Sequence, residues 1–136
     1  MDQQNPNNNQ DNLNQQADLV IRTIAMPKDT NFNGDIFGGW LLAQMDIGGC
    51  IAARKISKSR VTTIAIDKMV FENPVNVGDT VCCYAKHLNT GNTSMQFEIT
   101  AFTIKGGIYD RQEVTKAIFT YVAIDDAGKP IKVYRD

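Results

Sequence analysis

The chain has 136 residues, a length typical of a single domain. Its 14 basic and 15 acidic residues give a formal net charge of -1, which argues against a nucleic-acid-binding domain because such domains usually carry a strong basic excess. No apolar run approaches the roughly eighteen residues of a membrane-spanning helix and the first residues lack the features of a secretory signal, so we expect a cytoplasmic protein without a membrane partner.

The first sixteen residues form a low-complexity arm. Eleven of them are asparagine or glutamine, and a segment of this composition has almost no apolar surface to bury on folding. We therefore predict that residues 1–16 are disordered and that residues 17–136 form one folded domain.

One strand, one long helix and four further strands are predicted after this arm. Residues 19–24 are rich in branched apolar side chains and end before Met26-Pro27, which favours a strand. The segment from Trp40 to about Ile56 lacks proline and is rich in Leu, Ala and Met, which favours a helix. Its apolar residues occupy almost the whole circumference of the predicted helix, so we expect the helix to be buried on most of its faces. The later strands are predicted at 61–71, 80–88, 93–105 and 114–124. This order favours an α+β architecture in which an antiparallel sheet wraps around one central helix.

The sequence lacks the motifs of several enzyme classes. Its three cysteines include an adjacent pair and no CxxC, so neither a disulfide framework nor a zinc site is predicted. None of the three serines stands in GxSxG, and no glycine-rich nucleotide-binding motif occurs. The only histidine, His87, lies about 13 Å along a predicted strand from Cys83, too far for a Cys–His pair. We expect no metal site.

Asp46 is a carboxylate among the apolar residues of the predicted helix. Burying a carboxylate is costly unless it is paired or serves a function. A positioned carboxylate can act as a general base. Two interpretations stay open from the pattern alone: Asp46 acts as such a base, or it lies at the helix edge or in a salt bridge.

Gly38 and Gly39 lie at the entrance of the same helix. The first N–H groups of a helix have no intrahelical partner, and without side chains they allow a carbonyl oxygen to approach. Taken alone, the glycine pair favours a simple tight turn, and an oxyanion site is the alternative that stays open. Gly39 and Asp46 are separated by about 10.5 Å along the axis, so one helix could not easily bring both to one carbonyl. If the two residues work together, the site is shared by two antiparallel helices of a dimer.

The segment MPKDTNFNGDIFGGWLLAQMD (residues 26–46) resembles the hotdog-fold acyl-CoA thioesterases, and in particular the YciA-type acyl-CoA hydrolases. The similarity continues through 60–63, 77–84 and 117–123, so it covers nearly all of 19–125. The resemblance implies an antiparallel sheet wrapped around one helix and dimers with a continuous sheet. It also implies a hexamer built as a trimer of dimers.

The resemblance implies hydrolysis of acyl-CoA to free CoA and a fatty or short-chain carboxylic acid. At the matching positions, Asp46 is the catalytic carboxylate, acting as a general base on water or, as an alternative, as a nucleophile that forms an anhydride. The backbone N–H of Gly39 polarises the thioester carbonyl. Asp35 matches a position that carries a catalytic Asn or Asp in some relatives, with an ordinary turn residue as the alternative.

The resemblance also assigns contacts with coenzyme A, which is part of the substrate and not a separate cofactor. The matching segments are Ile64, Ala65 and Ile66 and Thr93, Ser94 and Met95, which act largely through their backbone groups. Arg60 is a candidate for binding the nucleotide phosphates on the basis of its charge. A solvated turn is the alternative there.

Two other functions are weighed against hydrolysis. A hotdog dehydratase would use a histidine with a carboxylate, and His87 is poorly placed for that role; loss of activity on its replacement would support this reading. A non-catalytic acyl-CoA sensor would bind CoA without hydrolysing any acyl-CoA, although such proteins usually add a DNA-binding domain.

Overall fold

The computed structural model describes residues 17–105 and 110–135. The predicted disordered arm, residues 1–16, lies outside this part of the chain. The described elements are β1 (Asp18–Ile24), α1 (Gly38–Ser57), β2 (Arg60–Asp67), β3 (Thr80–Thr90), β4 (Ser94–Ile104) and β5 (Arg111–Ile124). A short 3-10 turn at Pro27–Asp29 follows β1.

The five strands form one antiparallel sheet in the order β1-β3-β4-β5-β2. Helix α1 packs against all five strands, so the predicted α+β architecture is confirmed. Strands β1 and β2 form the two edges of the sheet. None of the helices in the described ranges is both long enough and apolar enough to cross a membrane.

Some predicted boundaries differ from those in the structure. The strand predicted at 61–71 ends at Asp67, because Lys68 adopts a positive φ of 61°, a conformation that breaks an extended strand. The helix starts at Gly38, two residues before the predicted Trp40. The last strand starts at Arg111, three residues before the predicted position.

The core lies between α1 and the inner face of the sheet. In β4, the sequence alternates apolar Met95, Phe97 and Ile99 with polar Gln96, Glu98 and Thr100, which predicts that the first three point inwards, and these three are buried. Thr100, which the same pattern places outside, is buried too. In α1, a Cβ atom added at Gly48 would come within 2.5 Å of Val20 Cγ2, so the glycine brings the helix close to β1.

Helix α1 is less buried than the sequence suggests. One stripe packs on the sheet, but Ile47 is 50% exposed and Ile51 is 43% exposed. On edge strand β2, Ile64 is 57% exposed. Large apolar side chains therefore stay uncovered on α1 and on edge strand β2 within one chain.

Candidate active site

Asp46 lies half-buried in the middle of α1, and one of its carboxylate oxygens is held by two hydroxyl groups. The Thr63 hydroxyl donates a hydrogen bond to Oδ1 over 2.7 Å, and the Tyr121 hydroxyl donates to the same atom over 2.9 Å. The Tyr121 hydroxyl also lies 3.1 Å from the backbone carbonyl oxygen of Asp46. No residue in the described ranges hydrogen-bonds Oδ2. The carboxylate is thus held through one oxygen and open at the other.

The two donors come from neighbouring strands. Thr63 in β2 is paired with Tyr121 in β5, and the register of this pairing shifts between Thr63 and Ala65. Such irregularities re-aim side chains and are frequent beside active sites. The pairing brings residues that are far apart in sequence to the same point under α1.

The groups around Asp46 stay protonated at neutral pH. Burial raises the pKa of Tyr121 far above its ordinary value, and the charge of Asp46 beside it raises it further. Burial and the Asp46 charge also raise the pKa of the Cys50 thiol, one helical turn later. The tyrosine is therefore a neutral hydrogen-bond donor, and the sequence analysis did not single it out.

The N-terminus of α1 is open to a ligand. No side chain caps it at Phe37, and no acidic residue lies in the first turn. A Cβ atom at Gly39 would meet nothing within 4 Å. The partial positive charge of this helix end and its free N–H groups are suited to a developing negative charge.

A cavity of about 230 Å³ adjoins this helix end. Its walls are mostly apolar, including Leu41 and Phe71, with a few polar groups. Asp35 lies there, and its Oδ1 accepts a hydrogen bond from the Asn76 side chain over 3.1 Å. An apolar cavity with few polar groups is typical of a small-molecule site.

Asn31, which the sequence analysis did not single out, lines the same cavity. Its side-chain oxygen accepts hydrogen bonds from the backbone N–H groups of Asn33 (2.8 Å) and Asp35 (3.1 Å). This is the behaviour of an asparagine that organises a turn. The sequence feature that could have pointed to Asn31 was its position just before the Asn33-Gly34 turn.

The residues predicted to contact coenzyme A lie in two places. Ile64, Ala65 and Ile66 follow Thr63 on edge strand β2, next to the Asp46 cluster. Thr93 and Ser94 are half-buried at the start of β4. Met95 is fully buried in the core, which leaves only its backbone for a ligand.

Arg60 lies in a basic groove at the C-terminal end of α1. The groove has a volume of about 540 Å³ and is lined by Ile51, Arg54, Lys55, Lys58, Ser59, Arg60 and Asp126. Arg60 itself donates a hydrogen bond to the backbone carbonyl of Asp126 over 3.1 Å. The groove offers positive charge near β2.

The predicted residues therefore fall into two groups within one chain. Asp46 lies with Thr63 and Tyr121, whereas Gly39 lies in the first turn of α1 and Asp35 lies in the loop just before that helix. His87 has no carboxylate partner among the described residues: its contacts there are a 2.6 Å hydrogen bond with Thr90 and ring packing on Phe97. The geometry disfavours chemistry that needs a histidine beside an acid.

Comparison with known proteins identifies the family. The model of the Thioesterase superfamily matches residues 33–109. The acyl-CoA thioester hydrolase YciA of Escherichia coli (strain K12) is 52% identical over 118 residues, which cover 85% of this chain and 89% of that protein.

Solved structures agree with this match. The hexameric hotdog fold thioesterase of Campylobacter jejuni has a TM-score of 0.81 and 43% identity, covering 85% of this chain and 90% of that chain. An acyl-CoA hydrolase variant from Staphylococcus aureus, solved with coenzyme A, has a TM-score of 0.77 and 28% identity, covering 82% of this chain and 67% of that chain. The chain therefore belongs to the thioesterase superfamily, as a hotdog-fold member of the YciA-type acyl-CoA thioester hydrolase family.

Proposed function

We propose that this chain hydrolyses acyl-CoA thioesters to free CoA and a fatty or short-chain carboxylic acid. The observation that carries the proposal is the Asp46 carboxylate, held at Oδ1 and open at Oδ2, in a chain 52% identical to an acyl-CoA thioester hydrolase. Coenzyme A is part of the substrate, and the proposed reaction requires no further cofactor.

In the proposed reaction, Oδ2 of Asp46 takes a proton from water as the water oxygen attacks the thioester carbon. The N–H of Gly39 donates a hydrogen bond to the oxyanion, the C–S bond breaks, and the CoA thiolate leaves and takes the proton from Asp46, which restores the carboxylate. General-base help contributes about 10²–10⁴-fold and one oxyanion donor about 10²–10³-fold. Because a thiol has a pKa of about 8.5, its departure needs little acid assistance.

We propose that each active site is shared across a dimer. Gly39 and Asp46 are about 10.5 Å apart along one helix axis, so Gly39 of one chain would act with Asp46 of the other. The exposed Ile47, Ile51 and Ile64 lie on α1 and on the unpaired edge of β2, and a second copy would cover them. Because the Campylobacter jejuni relative is hexameric, we further propose a trimer of such dimers.

Asn31 and Asp35 complete the proposed site at the helix entrance. For the Staphylococcus aureus relative, variants were solved in which an asparagine and an aspartate fifteen residues further along the chain are replaced by alanine. Asn31 precedes Asp46 by the same interval and lines the cavity beside Gly38. This supports Asn31 as a site residue more strongly than Asp35, which stays a prediction.

We place coenzyme A along β2, with its nucleotide phosphates towards the basic groove. The exposed Ile64 and Ile66 flank Ala65 on edge strand β2, so in the proposed dimer the amides of pantetheine would bind backbone groups of this segment beside the second copy. Arg60 and the lysines of the groove supply charge for phosphate.

The proposal is tested by measuring thiol release from acyl-CoAs with short, long and branched chains. The wild type is compared with Asp46→Asn, which keeps the shape and removes the base, and with Asp18→Asn as a matched control at an exposed carboxylate of β1, on the opposite edge of the sheet from β2. Turnover by the wild type and the control, lost in Asp46→Asn with CoA binding retained, is the expected result. CoA binding by the wild type without hydrolysis of any substrate would overturn the proposal in favour of a sensor.

A further inference from the structure

We propose that Tyr121 is a positioning residue for the hydrolysis: its hydroxyl, with that of Thr63, holds Oδ1 of Asp46 so that Oδ2 faces the attacking water. This inference rests on the proposed function and assigns a role to a residue outside the helix and loop that carry the other predicted catalytic groups. It follows from the geometry around the carboxylate.

The Tyr121 ring is fixed by its neighbours. It is fully buried, stacks on Phe119 with a centroid distance of 6.3 Å, and meets Phe97 edge-on at 6.2 Å. A buried phenol needs a partner for its hydroxyl, and the two acceptors that this hydroxyl reaches are both atoms of Asp46. The ring therefore carries its hydroxyl to one place, under the carboxylate.

Helix α1 is adapted to receive this hydroxyl. A side chain at Gly49 would collide with the Tyr121 hydroxyl. Glycine inside a helix is unfavourable relative to alanine, so its presence in mid-helix is explained by the space that the tyrosine needs. Gly49 and Tyr121 thus act as a matched pair across the helix–sheet interface.

The hydrogen-bond pattern selects the reacting oxygen. Oδ1 of Asp46 accepts hydrogen bonds from the hydroxyl groups of both Thr63 and Tyr121. A carboxylate oxygen that already accepts two hydrogen bonds is less basic than the other oxygen of the same group. The proton of the attacking water therefore goes to Oδ2. Because burial keeps the phenol neutral, Tyr121 donates to the carboxylate and does not take the proton itself.

The first test is Tyr121→Phe, which keeps the ring and removes the hydroxyl. We expect kcat for acyl-CoA hydrolysis to fall about tenfold to a hundredfold, with KM and CoA binding unchanged. Tyr84→Phe is the matched control, because Tyr84 packs against Phe102 and Arg111 away from Asp46, and it should keep the wild-type kcat. A residue that only supports the helix would lower thermal stability without this selective loss of kcat.

A second variant replaces Tyr121 by 3,5-difluorotyrosine, which keeps the shape and makes the hydroxyl a stronger donor. The groups that face the carboxylate are Thr63 from β2, Tyr121 from β5 and Cys50 from α1. A stronger donor stabilises the charged carboxylate, so we expect the acidic limb of the kcat–pH profile to move to lower pH.

Different results would contradict the role of Tyr121 and the proposed hydrolysis. A wild-type kcat in Tyr121→Phe, or an unmoved profile in the fluorinated protein, overturns the role of Tyr121 while the loss in Asp46→Asn stands. A wild type that hydrolyses no acyl-CoA overturns the proposed function, and the role of Tyr121 with it.

Discussion

The hydroxyl of Tyr121 lies in the space that a side chain at Gly49 would fill. An added Cβ atom would also come within 2.5 Å of Ile99 Cδ1. The middle of α1 is therefore in contact with β4 and β5 at a point where no larger residue fits. The same contact brings the phenol to Asp46, so packing and the geometry of the candidate site depend on each other here.

Gly49→Ala is expected to damage both stability and turnover. The added methyl group must displace Tyr121 or α1, and overpacking of this kind costs about 1–3 kcal/mol. Urea unfolding and kcat measured on the same preparation test this prediction. An alanine variant as stable and as active as the wild type would show that the interface adjusts without cost.

Gly39→Ala is expected to lower kcat without lowering thermal stability. Its Cβ atom would meet nothing within one chain, and alanine has a higher helix propensity than glycine, so Tm should be unchanged or higher. The methyl group would obstruct the approach of a carbonyl oxygen to the N–H, and kcat should fall at least tenfold. Full activity in this variant would remove Gly39 from the oxyanion site.

The buried Cys83 predicts a loss of stability at alkaline pH. Burial and the adjacent Cys82 raise the pKa of its thiol from 9.0 to about 12. Between these values the unfolded chain has lost a proton that the native chain keeps, so stability is complete below pH 9 and falls as pH rises towards 12. The contribution is at most about 1.4 kcal/mol per pH unit. The free energy of unfolding of Cys83→Ala should fall less steeply over this window, and parallel curves for the two proteins would contradict the assignment.

Ile64→Asp is expected to break self-association. Ile64 is 57% exposed on the open edge of β2, where a charge would be buried against a second copy at high cost. Light scattering should show a smaller species than the wild type. Ile24→Asp, at a side chain 53% exposed on the opposite edge strand β1, is the matched control and should leave the dimer intact. An unchanged mass for Ile64→Asp would place the interface elsewhere.

The sequence predicted the order of elements well because the helix and strands have long, regular apolar patterns. It did not predict where β2 ends, since the positive φ of Lys68 has no signal in the residue type. It also overstated the burial of α1, because Ile47 and Ile51 are apolar like the buried residues but lie on a face that one chain leaves uncovered.

The candidate site was predicted in part. Asp46 and Gly39 stand out locally, one as a charge in an apolar helix and the other as a glycine pair at its start. Thr63 and Tyr121 were missed because their partner is 17 and 75 residues away, and strand alternation shows that a side chain points inwards without showing what it meets. The sequence features that pointed to this contact were a glycine in mid-helix and a tyrosine on the inner face of a strand.

If each site is assembled from two chains, mixing two variants with impaired activity should restore turnover. Gly39→Ala and Asp46→Asn are refolded together in equal amounts, and thiol release is compared with that of each variant alone. In a two-fold symmetric dimer, each mixed dimer contains one site with Gly39 and Asp46 both intact, so activity should recover to about one quarter of the wild-type value. A mixture no more active than its parents, although mixed dimers form, would contradict the shared site.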